Sequence, residues 1–166
     1  MHLMRGEFSR ARRHKLPLSC LVIRVDRLAV LTETHGTELR MAVTEELCRL
    51  LAEKLRVADQ LGSLHESALL VLLPHTTAQQ AGLVAERVKT GFGNLVIEID
   101  GNRVPLTLSI GVAAVQDQDT LFFDSLLAQA EVALEWATEG GGNQVSLFER
   151  DRYLKSGDAA DEGKKA

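Results

Sequence analysis

Apolar positions along the chain change period several times, and each change marks an element. Residues 18–25 (LSCLVIRV) and 69–73 (LLVLL) are near-continuous apolar runs, the pattern of strands covered on both faces. Between them Leu39, Val43, Leu47, Leu50 and Leu51 recur at helical spacing, and Thr37 is placed to cap a helix running to about residue 56. Residues 26–34 read as a variable connection without a period of their own. Gly62 and Ser63 interrupt the apolar pattern ahead of the second strand, so a short hairpin is expected there. His65, Glu66, Ser67 and Ala68 form its exposed tip.

After Pro74, Thr77-x-x-Gln80 has the form of a capping box and opens a second helix to about residue 90. Ala81, Val84, Ala85 and Val88 are its buried face, which leaves Arg87 off the stripe. Asp100-Gly101-Asn102 joins predicted strands 95–99 and 104–114, a strong hairpin signal. Gly111 lies inside the longer strand, where glycine marks a bulge or a close backbone approach. A third helix over 120–138 is apolar at Phe123, Leu126, Leu127, Ala130, Ala133, Leu134 and Ala137. It ends at Gly140-Gly141-Gly142, and a last short strand covers 145–148. Strands and helices alternate with hairpins between them, which predicts an α/β sandwich around a mixed, largely antiparallel sheet.

Composition narrows the function classes. At 166 residues, 45% hydrophobic and 25% charged, the chain reads as one soluble globular domain. A net charge of −4 gives no general attraction for nucleic acid, so any bound anion must be held by a local cluster. No apolar run is long enough to span a bilayer, and the Arg-rich first twenty residues lack the apolar centre of a secretion signal. A cytoplasmic location without membrane insertion is expected. Cys20 and Cys48 have no metal-type spacing and read as small core residues of a reduced protein. Residues 1–14 are a basic helix, a lead-in or simply a solvated one. Residues 15–149 carry the domain, and the polar stretch 150–166 reads as a linker or tail.

The order of elements, together with VPLTLSIGVAA and LLAQAEVALEWA near the end, resembles the GGDEF family of bacterial diguanylate cyclases from about residue 10 to residue 148. In that family an RxxD motif is followed by five residues and then the signature pentapeptide. Here Arg56-Val57-Ala58-Asp59 is followed by Gln60 to Leu64 and then His65-Glu66-Ser67-Ala68-Leu69. The resemblance implies a fold like the nucleotidyl-cyclase palm, a ferredoxin-like α/β sandwich.

It also implies a lost catalytic site. The family condenses two GTP molecules with divalent cations, and hard cations require carboxylate oxygens. The family takes one carboxylate from the end of the first strand, where this chain has Arg24. The acidic signature positions are Ser67 and Ala68, and the two phosphate-approach glycines are His65 and Glu66. The guanine-binding positions read Thr32 and Met41, and the phosphate-gripping positions Thr138 and Gly142. Asp26 survives, but a lone carboxylate after a strand also serves as a turn residue. No catalytic residue, no metal and no magnesium requirement is expected.

What the resemblance leaves is the family's inhibitory site for cyclic di-GMP. Arg56 and Asp59 match its RxxD, and Arg87 occupies the position of its second arginine. A carboxylate can accept from the N1–H and exocyclic amine of guanine, and an arginine fork can meet the Hoogsteen edge or a phosphate oxygen. The bland alternative makes Arg56 a helix-end charge, Asp59 a turn residue and Arg87 a solvated helix residue. The expected function is a non-catalytic cyclic di-GMP receptor, with a homodimer or an adjacent sensor or output domain as partner. The competing readings are a dimerisation or docking scaffold that binds no nucleotide, and a domain that responds to GTP.

Overall fold

A computed structural model of the chain describes residues 1–65, 68–115 and 120–162, with side chains through residue 156 in the last stretch. In chain order the elements are α1 (His2–His14), β1 (Leu18–Val25), α2 (Leu28–His35), α3 (Thr37–Lys54), β2 (Gln60–His65), β3 (Ala68–Pro74) and α4 (Ala78–Gly93). They continue with β4 (Glu98–Ile99), β5 (Asn102–Arg103), β6 (Leu108–Ala114), α5 (Phe123–Glu139), β7 (Val145–Leu147) and α6 (Arg150–Glu162).

Five strands form one sheet in the order β2-β3-β1-β6-β7. The first three pairings are antiparallel, and β6 with β7 is parallel. The mixed, largely antiparallel sheet follows the sequence expectation. It is sandwiched by helices because its inner strands are apolar on both faces. Along β1, Leu21, Ile23 and Val25 point to one side and Leu18, Cys20 and Val22 to the other. α3 and α4 cover the first side through Leu39, Val43, Leu47, Leu51, Ala85, Val88 and Phe92. α1 and α5 cover the second through Met4, Phe8, Ala11, Leu126, Ala130 and Leu134. Each fully buried leucine contributes about 1.5–3 kcal/mol by leaving water, so the two layers together hold the sheet.

Local signals explain most of the boundaries. The capping box opens α4 as expected: Thr77 Oγ1 accepts from Gln80 N–H at 3.3 Å, and Gln80 Oε1 accepts from Thr77 N–H at 2.9 Å. Asp100 and Gly101 both have positive φ, 51° and 75°, the two-residue turn that lets Ile99 pair with Asn102. Gly111 answers the close-approach alternative. A β-carbon there would stand 2.0 Å from Ala130 O and 2.3 Å from Leu134 N, so α5 crosses β6 at backbone contact.

The structure also corrects the sequence reading. Residues 28–35 are not a variable connection but the helix α2, held onto the core by partly buried Leu28 and Leu31. Thr37 is the first residue of α3 rather than its cap, and the helix stops at Lys54. Pro105 separates the two-residue β5 from β6, so the predicted strand 104–114 begins only at Leu108. α1 is more than a solvated basic helix. Its apolar stripe is buried, and Arg5 clamps it to α5 with two bonds to the Asp124 carboxylate, 2.7 and 3.0 Å. The polar stretch after Glu149 is helical. Arg152 lies over the Trp136 ring at 4.2 Å, and Phe148 stacks on the same Trp136 at 5.8 Å. Ala68, expected at an exposed tip, is buried, while Glu66 and Ser67 lie outside the described residues.

Candidate ligand-binding groove

The residues singled out in the sequence fall at two ends of the sheet. Arg24 pairs in register with Ala68, and Ala68 with His65, at one end. Leu18 pairs with Pro74 at the other, next to where Asp59 leads into β2. Ala68 and Leu73 are five positions apart on β3, which at about 3.3 Å per residue sets the two ends about 17 Å apart.

At the first end Arg24 and Asp26 are both engaged in bonds within the fold. The Arg24 guanidinium donates to Thr138 Oγ1 at 2.7 Å, joining two of the positions that the sequence resemblance singled out. Asp26 is spent on the fold. Its Oδ1 accepts from Ser109 Oγ at 2.6 Å, and its Oδ2 accepts from Thr107 Oγ1 at 2.7 Å and from Asn143 N–H at 2.8 Å. Three of the carboxylate's roughly four acceptor positions are therefore occupied. His65 faces Glu131 of α5 at 3.6 Å. The cleft between α3 and the β2–β3 hairpin measures only about 120 Å³, well below the few hundred Å³ usual for small-molecule sites. Among the described residues no group of three acidic, histidine or cysteine side chains could hold a metal ion. A cation at Arg24 and an Asp26 already holding three donors do not fit a divalent metal.

The other end is built differently. α3 stops at Lys54, Leu55 turns extended, and residues 56–59 close on themselves before β2 begins. Asp59 N–H donates to Arg56 O at 3.0 Å, and Arg56 N–H donates to Asp59 Oδ2 at 2.8 Å. The turn role foreseen for Asp59 is therefore real, but it uses one lone pair of one oxygen. The rest of the carboxylate stays available on a fixed backbone. The capping box directs α4 so that Arg87, off the buried stripe, faces this turn. Arg56, Asp59 and Arg87 line a single groove of about 750 Å³ between the end of α3 and the flank of α4. Both arginines are exposed, and among the described residues neither guanidinium has a hydrogen bond or ion pair.

Leu73, Leu83 and Val84 give the groove an apolar wall, and Gln80, Thr90, Asn94 and Lys54 add polar groups. Glu86 also borders it, but its charge is held by Lys89 at 2.8 Å. The two arginines and the aspartate that register singled out thus line one groove. Lys54 and the α4 residues that line it too were not expected from the sequence, because their shared wall arises from packing between two helices rather than from a motif. Among the described residues no helix is long and apolar enough to cross a membrane.

Comparison with known proteins agrees with this architecture. Diguanylate cyclase A of Treponema denticola is 30% identical over 133 residues, which cover 80% of this chain and 36% of that protein. The chain thus spans little more than a third of that relative. The active GGEEF domain of a diguanylate cyclase from Vibrio cholerae superposes with a TM-score of 0.82 at 21% identity, covering 89% of this chain and 92% of that one. The GGDEF domain of DgcB from Caulobacter crescentus, solved in complex with c-di-GMP, gives 0.82 at 14% identity, over 88% of this chain and 86% of that one. A family model described as diguanylate cyclase, GGDEF domain, matches residues 2–144. The chain belongs to the GGDEF domain family.

Proposed function

We propose that this GGDEF domain has lost cyclase activity and works as a receptor for cyclic di-GMP, bound by Arg56, Asp59 and Arg87. The observation that carries the reading is the meeting of these three side chains in one groove of about 750 Å³, with both guanidinium groups uncommitted. The volume lies within the usual range for small-molecule sites. Asp59, fixed by its turn, supplies acceptors for the N1–H and amine of guanine, an edge that adenine cannot match. The arginines supply forks for phosphate oxygens or the Hoogsteen edge.

The contrast with the other end supports the same reading. There Arg24 is bonded to Thr138 and Asp26 is consumed by three donors. GTP condensation would need carboxylates free to hold divalent cations. The DgcB domain solved with c-di-GMP has this fold, which makes the ligand a natural one to test first.

The test is a calorimetric titration of cyclic di-GMP into the purified chain, with GTP plus magnesium and an Arg56→Ala protein as controls. Saturable binding that is lost in Arg56→Ala, with no GTP turnover, is the expected result. Turnover of GTP would overturn the non-catalytic half of the reading. A docking module that binds no nucleotide is the second reading. It is favoured by a groove of about 480 Å³ between α5 and α6, bordered by partly exposed Tyr153 and Leu154. Absence of cyclic di-GMP binding beside a folded, self-associating chain would select it.

A further inference from the structure

The groove holds a cation that the RxxD motif does not include. Lys54 is the last residue of α3, and its side chain lines the same groove as Arg56 and Arg87. A lysine at a helix C-terminus ordinarily needs no further explanation, since it complements the helix dipole there. The local packing gives this one a direction. Gly91 lies in the last turn of α4. The point where its β-carbon would stand is 3.8 Å from Lys54 Cε and 3.1 Å from Leu50 Cδ1. The end of the lysine stem thus lies beside the flank of α4 that borders the groove. Among the described residues the ammonium group has no hydrogen bond or ion pair.

Charge bookkeeping in the groove then becomes specific. Lys54, Arg56 and Arg87 face one uncommitted carboxylate, Asp59, because Glu86 is paired with Lys89. The surplus is two positive charges. In open water such a surplus is largely screened. It acts when a ligand displaces solvent from the groove and brings its own charge. Phosphodiester oxygens brought into the groove would meet this surplus directly.

We infer that Lys54 is a third ligand-binding cation of this groove, contacting a phosphodiester of the bound cyclic dinucleotide. This deepens the receptor reading and rests on it. Base selection stays with Asp59, and Lys54 sets affinity and its dependence on salt.

The experiment is calorimetric titration of cyclic di-GMP into the full chain at about 50 mM and about 300 mM salt, spanning a large change in screening length. Wild type, Lys54→Gln, Lys54→Arg and Arg56→Ala are compared, with a thermal melt of each. Lys54→Gln should melt like wild type and weaken binding roughly tenfold at low salt, as expected for losing one charge-assisted hydrogen bond. It should also lose less affinity than wild type as salt rises. Lys54→Arg should restore both properties. If Lys54→Gln matches wild type at both salt concentrations while Arg56→Ala fails to bind, Lys54 is only a helix-end charge and this inference falls with the receptor reading intact. If wild type itself does not bind, both fall.

Discussion

Arg56 and Asp59 are bonded to each other through the backbone, not through their opposite charges. Asp59 Oδ2 accepts from Arg56 N–H at 2.8 Å while Asp59 N–H donates to Arg56 O at 3.0 Å. The motif therefore fixes its carboxylate and leaves its guanidinium free, which makes the two residues separable by mutation. Asp59→Ala should lose cyclic di-GMP binding and also about 1 kcal/mol of stability, the usual worth of one hydrogen bond. Arg56→Ala should lose binding with stability unchanged within about 0.5 kcal/mol, as for most exposed positions. Urea unfolding of both proteins beside their titrations checks this. A stability loss in Arg56→Ala as large as that in Asp59→Ala would mean that the arginine side chain, too, is structural.

Asp26 gathers three donors from three places: Thr107 before β6, Ser109 within β6, and Asn143 after α5. Ser109 is fully buried, so removing its acceptor strands a hydroxyl away from water. Asp26→Ala is expected to cost roughly 2–3 kcal/mol, the range for leaving buried donors unsatisfied. Because the groove lies at the opposite end of the sheet, cyclic di-GMP affinity should not change. A midpoint shift in urea with an unaltered titration is the expected pair of results. A mild effect on stability would show that water replaces the carboxylate.

Much of the fold was legible because its signals are local. The capping box at Thr77 and Gln80, the Asp100-Gly101 turn and the alternating faces of β1 each specify geometry within a few residues. What escaped depends on distant partners. α2 lacks a cap, since Arg27 precedes it in the left-handed region, and Leu28 and Leu31 hold it to the core. α6 is polar along its length and docks through Arg152 onto Trp136 and Tyr153 against Phe148. At the site, register alone was enough to pick out Arg56, Asp59 and Arg87. Arg24 and Thr138 each read as a separate loss, and nothing in the chain announces that two side chains 114 positions apart bond to each other. Lys54 stayed invisible for the same reason, because its place in the groove comes from packing beside another helix.

Gly111 gives a sharper structural test. A β-carbon at this position would stand 2.0 Å from Ala130 O and 2.3 Å from Leu134 N, and both are backbone atoms inside α5. No rotamer change can relieve that contact. Either α5 must lift from the sheet or β6 must bend, and the Leu126, Ala130 and Leu134 layer of the core would open with it. Gly111→Ala should therefore destabilise by about 3 kcal/mol or more, beyond ordinary overpacking. Soluble yield and the thermal midpoint measure this. A variant that melts like wild type would show that α5 and β6 do not meet at backbone contact.

The two cysteines should separate cleanly by chemistry. Cys20 is buried in β1 and Cys48 is half-buried on α3. Burial pushes the Cys20 thiol from an ordinary 9.0 up to about 12, because a thiolate in that apolar layer would lose its hydration. At pH 8 an aromatic disulfide reagent should label Cys48 in the native protein and reach Cys20 only after denaturant is added. The same shift has a consequence for stability. Between pH 9 and pH 12 the unfolded chain releases the Cys20 proton while the folded chain keeps it, so the unfolded state binds fewer protons and stability falls as pH rises through that window. Cys20→Ala should show a shallower decline over the same range in urea unfolding. Native labelling of both thiols at equal rates would contradict the burial on which both expectations stand.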